Sequence, residues 1–582
     1  MAQVAAPIHG AEPPPSPPRA HGRLGRALWF RELEHYPNTG PRLLYLAIVV
    51  VTTIILYYQL YVAGSVAPQI LAHYGMSFRF YVDITVVGNA IGAFTSILAG
   101  LADRWGRANM VAYGLVITGL LVLIGIPHAP NEWVFAIIIS AVGFVEGIIL
   151  VATPALVRDF SPQLGRASAM GFWTLGPVVG SLVVAEVASH TLAHLTAWQD
   201  QFIICGIVGL VVAAVALVGL RELSPGLRDQ LMVSIRDRVL IEARAKGIDV
   251  RESLRHPWRQ MLKVDIVLSA LAISLFLIIY YTAVGFNVIY FETIFGFSAS
   301  QANGLGNWLW AFDAGALIVV GVVADRLRVR KPFMVAGGIG AVVMTIIYLS
   351  RATDPHTGYY TIALIFSLLA VCLAVAYGPW MASFTETVER RNPALTATGL
   401  AVWGWILRIV VAGSIFVLPY MVSSVTPLVT YGPQVQAISA RYAPQIATAQ
   451  AIDPTTLAAL TANPNNLAAA GKAIGEIAAA QHVAAAEATK RLIALGQVPK
   501  ADFAYLQAHG AAVQQAAKAS PSQWQHWYWL CVGAEIVFLP LVLVMAGRWR
   551  PKRAKEDAER HEQLVRAELA KLAGTQPEAA AD

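Results

Sequence analysis

Runs of about twenty apolar residues recur along this chain, and their length decides what it can fold into. At 1.5 Å rise per residue, such a run spans the hydrocarbon core of a bilayer as one helix. Lipid offers no hydrogen-bond partner to a backbone, so only helices or closed barrels can cross it. These runs are too long and too continuously apolar for barrel strands. Only 13% of the 582 residues are charged and 57% are hydrophobic, with a mean hydropathy of +0.57. A soluble protein carries about 25% charged residues, so this chain lacks the water-facing surface that a soluble fold needs.

The sequence predicts an all-α membrane protein with twelve spans, near 43–66, 80–101, 108–127, 132–155, 166–188, 200–221, 264–289, 299–322, 333–350, 360–383, 396–420 and 526–547. Placing both termini and the even-numbered loops in the cytoplasm puts 33 of the 42 Lys and Arg residues on that side. This is the pattern of the positive-inside rule. The net charge of +7 is therefore a topology signal, and its spread among membrane loops argues against nucleic-acid binding. Residues 1–42 form a cytoplasmic tail without a signal-peptide core, 43–221 a first six-helix bundle, and 222–263 a central cytoplasmic loop. Within that loop, Leu227 to Ala245 alternates apolar residues with Arg and suits the inner leaflet. Residues 264–421 carry helices 7 to 11, 526–548 helix 12, and 549–582 a cytoplasmic tail. Between helices 11 and 12, the Ala- and Gln-rich segment 422–525 is too polar to span. It predicts an outer helical hairpin, with one helix from Asn466 to about Leu495 and a second to about Ser520. The cysteines Cys205, Cys372 and Cys531 have neither ligand nor disulfide spacing, and each is expected to be a buried small side chain.

An internal repeat narrows the class. Ala102-Asp103-Arg104-Trp105-Gly106-Arg107 follows span 2, and Ala324-Asp325-Arg326-Leu327-Arg328-Val329-Arg330 follows span 8. A second echo follows spans 4 and 10, where Arg158-Asp159 corresponds to Glu386 through Arg391. Two related six-span units are what an alternating-access carrier needs, since they rock about a site at the membrane midplane. In motif, topology and central loop the chain resembles the major facilitator superfamily (MFS), over about 43–421 and 526–547. The resemblance implies two pseudo-symmetric six-helix bundles. The first copy of the loop motif has Ala99 where the superfamily has Gly. The second keeps Gly321 but carries Arg328 opposite Gly106, so the first copy is the expected latch.

The resemblance gives Asp103, Arg104, Gly106, Arg107, Asp159, Asp325 and Arg326 a gating role. Asp103 suits a neighbouring helix N-terminus, while Arg104 or Arg107 can fork onto Asp159. Gly176-Pro177 through Gly180 in span 5 resembles part of the glycine-proline motif of proton-driven antiporters, with Phe172 where the motif's earlier glycine would stand.

Ionisable groups at membrane depth are costly and so point to function. Glu146, Asp313 and Arg408 lie mid-span in helices 4, 8 and 11, and Asp83 in the outer part of helix 2. Glu186 and Glu535 are also expected to be buried. In the superfamily arrangement helices 1, 4, 7 and 10 line the cavity. Glu146 then suits a proton carrier, Arg408 a grip on a carboxylate, and Asp313 a partner for Arg408. Tyr57 and Tyr61, Tyr280 and Asn287, and Tyr377 with Trp380 share helix faces; with Trp308, Trp310 and Trp405 they predict an aromatic-lined cavity.

The expected function is secondary transport of a small organic solute, foremost an organic anion, coupled to protons. Proton-driven efflux of amphipathic drugs is the alternative, followed by an uncoupled facilitator. A transporter-like sensor or scaffold using the outer hairpin is the alternative from another class. No metal cluster, nucleophile elbow, phosphate loop or dinucleotide fingerprint marks an enzyme, and no cofactor is expected. The expected partners are the solute, protons and the bilayer, with a monomer in the inner (plasma) membrane.

Overall fold

The computed structural model describes residue 29 and residues 31–95, 105–160, 166–224, 227, 257–392, 395–545 and 547–574. Asp103, Arg104 and the amphipathic stretch beyond Leu227 lie outside these residues. Twelve long helices follow the apolar runs: α1 (Thr39–Ser65), α2 (Phe78–Thr95), α3 (Arg107–Leu120, closed by a π turn at Leu121–Gly125), α4 (Glu132–Phe160), α5 (Arg166–Thr191), α6 (Trp198–Gly219), α7 (Val264–Phe295, interrupted at Leu277), α8 (Ala299–Leu327), α9 (Lys331–Ser350), α10 (Tyr359–Arg391), α11 (Thr396–Met421) and α12 (Lys500–Leu541). Among the described residues, ten helices are long and apolar enough to cross a membrane. The remaining two are α2, diluted by Arg79, Asp83 and Asn89, and α5, whose apolar part is Leu175–Thr191.

The helix neighbours obey the repeat. In the first half α1 packs on α5 and α6, α2 on α4, and α3 on α4 and α6. In the second, α7 packs on α11 and α12, α8 on α10, and α9 on α10 and α12. The halves meet where α2 packs on α11 and α5 on α8, a pair of contacts that a shift by six helices exchanges. Internal sequence duplication therefore reappears as a pseudo-two-fold packing scheme.

Two ends can be distinguished. The basic end carries Gly106, Asp159 and Arg330; the distal end carries Tyr74, Ser189 and the segment between α11 and α12. At the distal end the halves are joined by hydrogen bonds from Asn303 Nδ2 to Ser65 O (2.9 Å), from Asn307 Nδ2 to Ser189 Oγ (3.0 Å) and from Ser300 Oγ to Ser189 O (2.5 Å). Arg79 lies 5.0 Å over the Tyr420 ring, joining α2 to α11.

The distal segment departs from a two-helix hairpin. It contains six short helices, Val425–Thr430, Gly432–Arg441, Ala443–Gln450, Pro454–Ala462, Leu467–Gln481 and Ala485–Gly496. Asn466 caps its helix through the Ala469 amide (3.1 Å), but that helix ends at Gln481 instead of near Leu495. His482 adopts a left-handed φ of 53° there and reverses the chain. The reversal lets Ile477 and Ala473 meet Ala488 and Ile452 in a small core of their own. The expected second helix is the first part of α12, whose 42 residues run without a break from Lys500 into the membrane region.

Gly180 is one of the tight points of this packing. A Cβ there would stand 2.5 Å from Tyr57 Cβ and 3.1 Å from Ile54 O, so α5 touches α1 backbone to backbone. Gly180→Val is expected to force the helices apart at a cost of ~1–3 kcal/mol or more, read as a lower melting temperature in detergent; an unchanged melting temperature would contradict this contact.

Candidate functional site

The interior polar residues fall into a central group and a group at the basic end. Tyr57 and Tyr61 stand one turn apart on α1, with ring centroids 5.5 Å apart. Gly176 and Gly180 on α5 leave room for this face, because a Cβ at Gly176 would lie 2.7 Å from Thr53 Cγ2 and 3.4 Å from the Tyr57 ring. Pro177 sits inside the helix between them. Glu146 on α4 is 1% exposed, and among the described residues neither carboxyl oxygen has a hydrogen-bond partner. It lies on the helix that packs on α1, the helix of Tyr57 and Tyr61. Gly143 and Gly147 flank Glu146 and bring α4 onto α2, where a side chain at 147 would collide with Gly92 O and Thr95 Oγ1.

In the second half, Tyr280 on α7 meets Trp310 on α8 at 5.2 Å between centroids, edge to face. Both line a cavity of only about 10 Å³ with Asn287, Asp313, Tyr348 and Tyr528. Asp313 is 6% exposed and acts on Tyr280 and Tyr377. Tyr377 in turn faces Tyr57 and Tyr281 electrostatically and stacks on Trp380. Arg408, half-buried on α11, acts on Tyr57 and Tyr281. The tyrosines thus connect the Glu146 side, the Asp313 side and the Arg408 side of one interior.

Three expectations need correction. Asp313 and Arg408, expected as partners, stand on helices with different neighbours: α8 packs on α5 and α10, while α11 packs on α2 and α7. Trp405 is 45% exposed, beside the exposed Ile409, and Trp308 is 41% exposed and stacked on Phe312, so neither joins the buried aromatic group. Asp83 lies 3.9 Å from Arg79 with both side chains largely solvent-accessible, and Glu186 is exposed beside His190. Glu535, in contrast, is fully buried and accepts a hydrogen bond from Thr345 Oγ1 (2.9 Å), tying α12 to α9. Cys205 and Cys531 are buried and Cys372 is half-buried.

At the basic end, Arg107 Nη1 forks onto Asp159 at 3.1 and 2.9 Å, with the pair almost fully buried. The second half repeats the arrangement with other residues. Arg330 reaches Asp325 at 2.7 Å and Glu386 at 3.3 Å, while Arg326 is exposed. Gly106 has φ 90° and Arg328, its counterpart, φ 53°. The second copy therefore keeps a positive φ after losing the glycine, at a cost of about 1–2 kcal/mol for an L residue.

Three groups here have no counterpart in the sequence reading. Glu222, after α6, accepts from the Arg107 amide at 2.7 Å and lies directly against Gly106. Arg31 is buried at 1% exposure and bonds Asn109. At the distal end Glu292 accepts from Gln69 Nε2 at 3.3 Å across the halves. The first two come from segments that read as tail and loop; Glu292 sits near a span end, where an acid passes for interface decoration.

Two sets of apolar helices with matching neighbours, and buried ionisable groups in the interior, are the build of a multi-pass membrane carrier. The chain belongs to the Major Facilitator Superfamily, whose sequence profile matches residues 49–414. It is 24% identical over 292 residues to the efflux pump radE of Floropilus chiversii, covering 46% of this chain and 53% of that protein. It is 29% identical over 184 residues to the gentisate transporter of Corynebacterium glutamicum, covering 31% and 39%. The chain thus spans about half or less of the length of these relatives. A bacterial homologue of the human lysosomal transporter Spinster, solved in an inward-facing and unoccupied conformation, has the same fold. Its TM-score is 0.54 at 17% identity, covering 87% of this chain and 99% of that one.

Gly106 is the position where backbone and packing both forbid a side chain. Gly106→Ala is expected to lose ~1–3 kcal/mol from the positive φ alone, and more from displacing Glu222. A lower melting temperature with faster proteolysis near residue 105 checks this; a variant as stable as the parent would contradict it.

Proposed function

We propose that this chain is a proton-coupled secondary transporter of a small organic anion, working by alternating access as a monomer with twelve spans in the plasma membrane. The observation that carries the reading is Glu146, a buried carboxyl beside Tyr57 and Tyr61 that has no hydrogen-bond partner among the described residues. An uncompensated charge at such a place costs several kcal/mol. Glu146 is thus accommodated as the neutral acid and gives up its proton when water or a cation reaches it. Arg408 supplies a permanent positive charge facing the same tyrosines. Asp313, lined by Tyr280, Trp310 and Asn287, is a second proton or substrate contact in the other half.

The basic end is the cytoplasmic face, as the Lys and Arg placement argues. The Ser65–Asn303 and Ser189–Asn307 bonds make this conformation one with its outer end shut. Arg107–Asp159 and Arg330–Glu386 hold the inner helix ends in each half and bias which state is favoured. A solute enters between the halves, the distal bonds part to open the outer end, the basic-end pairs inside each half bias which state is favoured, and proton occupancy of Glu146 links the movements.

A second reading, proton-driven efflux of amphipathic compounds, is favoured by the Gly176-Pro177 contact with α1 and by the rings of Tyr57, Tyr61, Tyr280 and Trp310. The relatives' names, a gentisate transporter and an efflux pump, divide in the same way.

Proteoliposomes given labelled carboxylates and cationic dyes, with and without an imposed proton gradient, separate these readings. Accumulation of a carboxylate should collapse with the gradient and fall at least ~10-fold in Glu146→Gln, while gradient-free exchange persists. Arg408→Gln should abolish carboxylate uptake under both conditions. Movement of dyes alone, unaffected by Arg408→Gln, would replace the anion reading with efflux.

A further inference from the structure

We infer that Arg31 is a positioning residue of the basic-end latch, holding α3 and α6 in the register that lets Arg107 reach Asp159. The inference rests on the latch reading above. An arginine in an N-terminal tail ordinarily stays solvated, but Arg31 is 1% exposed and all five of its N–H groups are used. Nε and Nη2 donate to Asn109 Oδ1 at 3.2 and 2.8 Å, and Nη2 also donates to Ala108 O at 3.2 Å. Nη1 donates to Ala216 O and Leu217 O at 2.9 and 2.8 Å.

These acceptors explain the placement. Ala216 and Leu217 lie in the last turn of α6, the negative end of the helix dipole, which attracts a cation; Ala216 O accepts from Leu220 N (3.0 Å) as well as from Arg31. Ala108 and Asn109 lie in the first turn of α3, directly after Arg107. One planar guanidinium thus ties the end of one helix to the start of another. Asn109 returns the contact through Nδ2, donating to Trp29 O and Trp105 O at 2.8 Å each.

The same strap closes a second connection. Glu32–Leu33 pairs in parallel with Glu222–Leu223, through Glu222 N to Arg31 O at 3.2 Å and Ser224 N to Leu33 O at 3.0 Å. That pairing holds Glu222, 2% exposed, where its Oε2 accepts the Arg107 amide. Tyr36 OH, further along the strap, reaches Asp159 O at 3.5 Å. Both members of the Arg107–Asp159 pair are therefore touched by residues 29–36 or by what those residues hold. Lysine could not substitute, since it offers three donors without the planar fork.

The test compares full-length Arg31→Ala, Arg31→Lys, Arg107→Ala and the Arg31→Ala/Arg107→Ala double variant in liposomes. Spin labels at Leu43→Cys and Leu327→Cys, exposed near the basic end of each half, report the opening of that end as a distance distribution. Arg31→Ala and Arg31→Lys should each raise the ratio of open to closed populations by about 5-fold or more, the lower range of typical coupling. Arg107→Ala should do the same, and the double variant should match the single ones, as residues acting as one unit do. An unchanged distribution in the Arg31 variants, or effects that multiply in the double variant, would overturn the positioning role. If Arg107→Ala itself leaves the distribution unchanged, the latch reading fails with it. Arg31→Lys keeps the charge and most of the volume, so the comparison stands even where Arg31→Ala folds poorly.

Discussion

Everything in this structure answers to a solvent that forms no hydrogen bonds. Backbone groups satisfy one another inside helices, so the helices are the units, and whatever polar side chain enters the bundle must find its partner within the protein. Thr118 Oγ1 reaches Gln59 Oε1 at 2.7 Å and Thr345 reaches Glu535 for this reason. Where helices must come closer than side chains allow, glycine replaces them, as at Gly180 on α1 and Gly147 on α2. Several buried hydroxyl and indole N–H groups lack a partner among the described residues, but Glu146 stands out as a carboxyl with both oxygens in that state.

The pseudo-two-fold explains why the two halves can do related work with different residues. Arg107 with Asp159 and Arg330 with Glu386 fasten equivalent helix ends. The backbone geometry survives even where the residue does not, since Arg328 keeps the positive φ of Gly106. The interiors diverge more. The first half presents Glu146 with two tyrosines, the second an aromatic cavity with Asp313 and Asn287. Such asymmetry is what a coupled carrier needs if one half handles the proton and the other contributes to the solute site.

Much of this was legible in the sequence, for physical reasons that also mark the limits. Long apolar runs announce helices, and the Ala-Asp-Arg repeats announce duplication, so the family could be read before any coordinates, and with it a contact to Asp159 from Arg104 or Arg107, of which the structure shows Arg107. Burial along a single helix was harder. Glu186 reads as buried in sequence, yet it is exposed near the end of α5, and Asp83 in the outer part of α2 is only half-buried beside Arg79. Asp313 and Arg408 look like partners by charge, yet they stand on helices with different neighbours. Trp405 carries no sign of which side of α11 it occupies. Arg31 and Glu222 were invisible because their partners lie far away in sequence and no periodicity marks them. In the distal segment the Asn466 cap was readable, but the reversal at His482 was not, since histidine gives no glycine-like signal of a left-handed turn.

Alternating access is the central claim, and the distal seam is where it is most exposed to test. Ser189 and Asn307 are in direct contact across the halves at 3.0 Å. A Ser189→Cys/Asn307→Cys pair, in a background with Cys205, Cys372 and Cys531 replaced, can be oxidised in proteoliposomes and assayed for uptake. The account predicts that uptake stops when the bridge forms and returns on reduction. Uptake that continues with the bridge fully formed would contradict it.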